Sequence, residues 1–162
     1  MKLHRLLPAL LLSAFTIPVC GQARPLSEVD SLLNAASKAL DHWQQLAPEI
    51  HCEDSIQTQF RDACQIDVLA MGERVLEAKA EIARYRRLTD PQVVDLFDAY
   101  QSFRRVLEVT ENMNCAPDSY GEHNRRVFAE AYNTFVKVNG WFGGTVRDSI
   151  QHATKCSEHA HT

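Results

Sequence analysis

The chain has 162 residues, with 17 basic and 21 acidic side chains for a net charge of −4, and 45 % of its residues are apolar. That length suits one domain with one core. The acidic balance excludes a general nucleic-acid binder or a protein that adheres to anionic lipid, because both need a basic surface.

Residues 1–23 have the pattern of a secretory signal peptide. Lys2, His4 and Arg5 make a basic start, Leu6 to Phe15 an apolar run, and Gly21-Gln22-Ala23 offers small residues where a signal peptidase reads. Cleavage after Ala23 or after Gly21 both fit. Cys20 after Ile17-Pro18-Val19 resembles a lipoprotein site, but Val19 is larger than such sites want. The apolar run is shorter than the ~20 residues of a lasting membrane anchor, and no later segment supplies one. The expected destination is the periplasm or the exterior of a cell, an oxidising compartment for the four remaining cysteines.

Beyond the leader the chain reads as four helices, with apolar residues at three- and four-residue spacing and no alternating run long enough for a strand. The first is expected from about Ser27 to Ala47, its face formed by Val29, Leu32, Leu33, Ala36, Leu40 and Trp43, with Ser27 as cap and Pro48 as stop. The second is expected from about Asp54 to Leu88. Its stripe of Phe60, Cys64, Val68, Met71, Val75, Ala78, Ile82 and Tyr85 has the spacing of a bundle seam.

The third helix is expected to start at Thr89-Asp90-Pro91-Gln92, with Thr89 or Asp90 as cap and Pro91 in the first turn. Val93, Leu96, Phe97, Tyr100, Phe103 and Leu107 face inward, and the helix frays near Asn112 to Asn114. The fourth starts at Ser119-Tyr120-Gly121-Glu122 and carries Val127, Phe128, Ala131, Phe135, Val138, Phe142, Val146, Ile150 and Ala153. Three glycines fall at 140, 143 and 144, and each costs a helix roughly 1 kcal/mol relative to Ala. A kink at Gly140–Gly144 is therefore expected, and Ser157 to Thr162 reads as a loose tail.

The short connection between helices two and three requires an antiparallel hairpin. Cys64 on its buried stripe then lies level with Cys115 beyond the third helix, so a Cys64–Cys115 disulfide is expected. Cys52 and Cys156 remain, at opposite ends of a simple bundle. Cys52–Cys64 with Cys115–Cys156 is the alternative, and four cysteines allow three connectivities.

Asp148, His152 and Cys156 recur every four residues, and His159 and His161 follow. Imidazole and thiolate suit zinc or copper, so His152, Cys156, His159 and His161 form a candidate metal set, against the plainer reading of an exposed helix end with Cys156 bridged. Leu88-Thr89-Asp90-Pro91-Gln92 matches LTxxQ and resembles the signature of small helical envelope proteins that act as periplasmic chaperones or metal-stress sensors. Leu26-Ser27-Glu28-Val29-Asp30 is a degenerate second copy. The resemblance implies an all-helical envelope protein of that kind.

Enzymatic signatures are absent: there is no Gly-x-Ser-x-Gly, phosphate-cradling glycine loop, His-Glu-x-x-His, paired Glu-x-x-His or Cys-x-x-Cys-His. His42, His51 and His123 sit near helix ends or polar flanks, and Glu73, Glu77 and Glu81 share a solvated face. The arginines come in scattered groups (Arg84, Arg86, Arg87; Arg104, Arg105; Arg125, Arg126) that suit solvated helix faces. Most aromatic residues of helices three and four read as core. Trp141 and Phe142, beside the glycines, could line a pocket for an apolar ligand or a partner helix. The sequence thus points to an all-α, four-helix up-down bundle over residues 24–156 with a kinked last helix and disulfide staples. The expected role is a non-enzymatic module that uses no cofactor and binds a protein or a small apolar ligand.

Overall fold

The computed structural model describes residues 26–112 and 117–159. Residues 1–23, and with them the leader, lie outside the described residues, as do Cys20, Cys115 and His161. Four helices run in order: α1 (Leu26–Leu46), α2 (Thr58–Arg86), α3 (Val93–Glu111) and α4 (Pro117–His159). Two short 3-10 turns, Ala47–Glu49 and Cys52–Asp54, join α1 to α2. No described helix is long and apolar enough to cross a membrane.

The helices form an antiparallel ring in which α1 and α3 each pack against both α2 and α4. Cross-helix pairs record the directions. Lys79 on α2 reaches Asp41 on α1 (2.6 Å), and Arg86 reaches Asn34 (2.5 Å), one index rising as the other falls. Arg84 meets Asp95 at one end of the α2–α3 hairpin, and Thr110 Oγ1 lies 3.4 Å from Met71 Sδ toward the other. Tyr132 donates to Glu111 across α3 and α4, and His42 Nε2 lies 2.8 Å from Glu130 Oε1 across α1 and α4. This is the up-down-up-down bundle the spacing predicts.

One cluster fills the centre. Leu32, Leu33, Ala36, Leu40 and Trp43 come from α1, Cys64, Met71, Val75, Ala78 and Ile82 from α2, and Leu96, Phe103 and Leu107 from α3. Val127, Ala131, Phe135, Val138, Phe142 and Val146 come from α4. Phe103 stands at the middle, its ring 5.9 Å from Phe135 and 6.0 Å from Phe142. Each large side chain so buried stabilises the fold by about 1.5–3 kcal/mol. The buried hydroxyls of α3 and α4 are satisfied within their own helices. Thr110 Oγ1 donates to Val106 O, Thr145 Oγ1 to Trp141 O, and Ser149 Oγ to Thr145 O. Trp43 Nε1 is buried without a hydrogen-bond partner among the described residues.

The expected Cys64–Cys115 disulfide is replaced by Cys52–Cys64, with a Cα–Cα distance of 5.6 Å. The reason is local. Cys52 belongs to a 3-10 turn rather than to the start of α2, and that turn folds back over the first turns of the helix, where Cys64 faces the core. A bridge across so short a loop stabilises by about 3 kcal/mol in chain-entropy models.

The last helix is kinked, but at Gly121 rather than at Gly140–Gly144. Gly121 has φ 80° and ψ −176°, a conformation open in practice only to glycine. The helix continues through residues 140–144 without a break, because burial of Phe142, Thr145 and Val146 outweighs the glycine penalty. Gly143 also has a packing reason. A Cβ there would lie 3.1 Å from the Tyr100 hydroxyl, so its absence lets α3 and α4 close on one another.

Two helix ends differ from expectation. Pro91 lies ahead of α3, which begins at Val93, and Asp95 closes its start by accepting from Gln92 N–H at 2.9 Å. α4 runs to His159, so Ser157 and Glu158 are helical rather than loose. Residues 151–155, Ala153 included, are exposed, and Cys156 is half-buried.

Candidate functional site

A groove of about 660 Å³ runs between α1 and α4, lined by Ala35, Asn133, Thr134, Lys137, Val138 and Trp141. Its origin is the helical phase of α4. Residues 131, 135, 138 and 142 point to the core, so 133, 137 and 141 form the shoulder beside α1. On α1 the groove meets small Ala35, which leaves room that a larger residue would fill. The volume is within the range of small-ligand sites.

Trp141 and Phe142 are adjacent in sequence but have different fates. Trp141 is 44 % exposed and forms one wall of the groove. Phe142 is fully buried against Tyr100 and Phe103 and does not line this groove. Neighbouring side chains stand about 100° apart around the helix, and here that rotation carries Phe142 into the core while Trp141 stays at the groove. The Lys137 ammonium is exposed, with no ion-pair partner among the described residues. Thr134 Oγ1 donates to Glu130 O, leaving its lone pairs toward the groove rim. The groove therefore joins an apolar wall of Trp141, Val138 and Ala35 to a polar edge carrying one positive charge.

Near the disulfide, Asn124 is completely buried and holds His51 by its backbone. Asn124 Oδ1 accepts from His51 N–H (3.1 Å) and Nδ2 donates to His51 O (3.2 Å). The His51 and His123 rings stack with centroids 5.1 Å apart. His51 Nδ1 lies 3.4 Å from Asp54, and His123 Nε2 donates to Glu49 O at 2.9 Å. His123 ties the connection to α4, whereas His51 Nδ1 meets Asp54 within the connection itself. His42, the third histidine of this group, pairs with Glu130.

The C-terminal metal set is not assembled as a thiolate site. Cys156 is disulfide-bonded, to a partner outside the described residues, and a bridged sulfur is not a thiolate ligand. His152 Nε2 lies 3.7 Å from that sulfur, one turn away. His159 lies in the final turn of α4 and His161 beyond the described residues. Among the described residues no three His, Cys, Asp or Glu side chains are grouped to hold a metal.

Of Glu73, Glu77 and Glu81 on α2, the last two form surface ion pairs. Glu77 meets Arg74 and Glu81 meets Arg84, each at 2.6 Å. Arg84 also reaches Asp95 and Asp98, a small network at the α2–α3 turn that no sequence motif marks. The Gln92 backbone N–H and the Arg84 guanidinium hold the Asp95 carboxyl below its usual range. In the LTxxQ-like segment, Gln92 is the residue just ahead of α3 and Leu88 ends the α2 turn, so these positions shape a hairpin.

No family model, curated protein or solved structure matches this chain. What fold and site together define is a disulfide-linked antiparallel four-helix bundle with a tryptophan-walled groove between its first and last helices.

Proposed function

We propose that this protein is an exported, non-enzymatic binding module, and that the α1–α4 groove takes a small amphiphile with an anionic head. The observation that carries the reading is Trp141. It is 44 % exposed on a helix whose Phe135 and Phe142 are fully buried, and it stands beside an uncompensated lysine. An apolar tail would lie along Trp141, Val138 and Ala35, with its head beside Lys137 and Asn133. Export is supported by the basic start, the Leu6–Phe15 run and the small residues at 21 and 23.

The chain has two tryptophans, and Trp43 is buried, so a change in emission on ligand addition reports on Trp141. Titration with decanoate below its micellar concentration should shift emission to the blue in a saturable way. Trp141→Phe should abolish the shift, Lys137→Gln should weaken binding about three- to tenfold, and decanol should bind more weakly than decanoate. A decanoate titration without a saturable shift overturns the ligand assignment. Fractionation of cells making the chain with and without residues 1–23 tests export separately.

A further inference from the structure

We propose that α2 is also the interface of a homodimer, through a second heptad seam on its outer face. The inner seam, Cys64, Met71, Val75, Ala78 and Ile82, is buried in the bundle. On the opposite face, Asp62, Ile66, Leu69, Glu73, Leu76, Ala80, Ala83 and Arg87 follow the same alternation of four and three. All eight are exposed, and Ile66, Leu69 and Leu76 are 65 %, 71 % and 59 % accessible. A helix apolar on two opposite faces is a helix with two packing partners, and the bundle provides for one face only.

The order of residues along the stripe selects a second copy of this chain, in antiparallel orientation. About a two-fold axis between Arg74 and Val75, Asp62 faces Arg87 of the second copy, Ile66 faces its Ala83, and Leu69 faces its Ala80. The Ile66–Ala83 and Leu69–Ala80 layers each join a large side chain to a small one, as close packing of facing helices requires. Each end closes with opposite charges. Neither Asp62 nor Arg87 has an ion-pair partner within the described bundle. A parallel pair in register would instead set Asp62 on Asp62 and Arg87 on Arg87, with Ala80 opposite Ala80 leaving a void. Gly72, on the flank of the stripe, has nothing within 4 Å of a built Cβ and lets the helices approach. An isologous contact of this kind closes on itself, so it ends at two copies.

One residue opposes the pairing. Glu73 faces Leu76 of the second copy close to the axis, and its carboxylate limits affinity.

The test is sedimentation velocity over a concentration series, on the full chain with any free thiol alkylated. A monomer–dimer equilibrium should appear in the micromolar range. Asp62→Arg and Arg87→Asp should each weaken it roughly five- to thirtyfold, and the double exchange should restore it. Leu69→Glu should reduce dimer at least tenfold, and Glu73→Leu should increase it. All four positions are exposed, so circular dichroism should show unchanged helicity in every variant. A chain that stays monomeric to about 0.5 mM overturns the proposal, as does a dimer indifferent to Leu69→Glu or not rescued by the double exchange.

Discussion

Asn124 grips the backbone of His51 from both sides, accepting from its N–H at 3.1 Å and donating to its carbonyl at 3.2 Å. A side-chain amide thus stands in for a strand neighbour, pairing two main-chain groups in the turn that leads from α1 to α2. Cys52 is the next residue. Its position against Cys64, and hence the disulfide, depends on α4 through this clasp. Asn124→Ala removes the partners of both groups, and an orphaned buried backbone group costs about 1–3 kcal/mol. Urea unfolding should show a loss of roughly 2–4 kcal/mol, larger than the loss for His123→Ala, whose hydrogen bond to Glu49 is exposed.

The glycines of α4 should separate by conformation. Gly121→Ala, forced into φ 80°, is expected to destabilise by at least about 1 kcal/mol. Gly140→Ala and Gly144→Ala meet open space and should stabilise by about 0.5–1 kcal/mol each through helix propensity. Gly143→Ala gains the same propensity but crowds the Tyr100 hydroxyl, so its net effect should fall below theirs. Equal gains at all three positions would show that Gly143 has no packing role.

Asp95 makes stability depend on pH in a defined direction. Its carboxyl is held below the usual range by the Gln92 N–H and by Arg84, so the folded state favours the charged form. That contribution is complete above the unfolded carboxyl value of ~3.9 and fades as pH falls through the lower folded value. Melting of the native protein and Asp95→Asn should differ at pH 7 and converge near pH 2. A gap that persists at pH 2 would assign the effect to something other than the charge.

The cysteines give a mapping test. Non-reducing peptide maps should join Cys52 to Cys64. From Glu122 to Cys156 an unbroken helix spans ~50 Å, whereas the seven residues from Cys115 to Glu122 cover at most about 25 Å even when extended. A Cys115–Cys156 bridge within one chain is therefore too long for an unbroken α4. In the full-length chain Cys156 should resist alkylation until reduced. Recovery of a Cys115–Cys156 peptide from monomeric protein would mean that α4 is broken between them.

The inward faces were legible residue by residue, since Leu32, Leu40, Met71, Val75, Phe103, Phe135 and Phe142 recur at the bundle period and all are buried. Helix ends were less so. Pro91 reads as a first-turn residue from its dihedral alone, yet Asp95 and Gln92 set the start two residues later. The groove was half legible: Trp141 could be singled out for its surroundings, but its separation from Phe142 needed the phase of α4 against α1. Lys137 and Ala35 carry no local signal.

The sequence by itself determined four antiparallel rods and which side of each faces inward, because that follows from a hydrophobic period repeated over many turns. Which cysteine meets Cys64, where the last helix bends, and which aromatic ring stays at the surface were decided only in three dimensions. Equal height along a bundle does not distinguish two sulfurs arriving from different loops. A glycine's cost in a helix is about 1 kcal/mol, small beside the burial of Phe142 and Val146 that holds the helix straight around it.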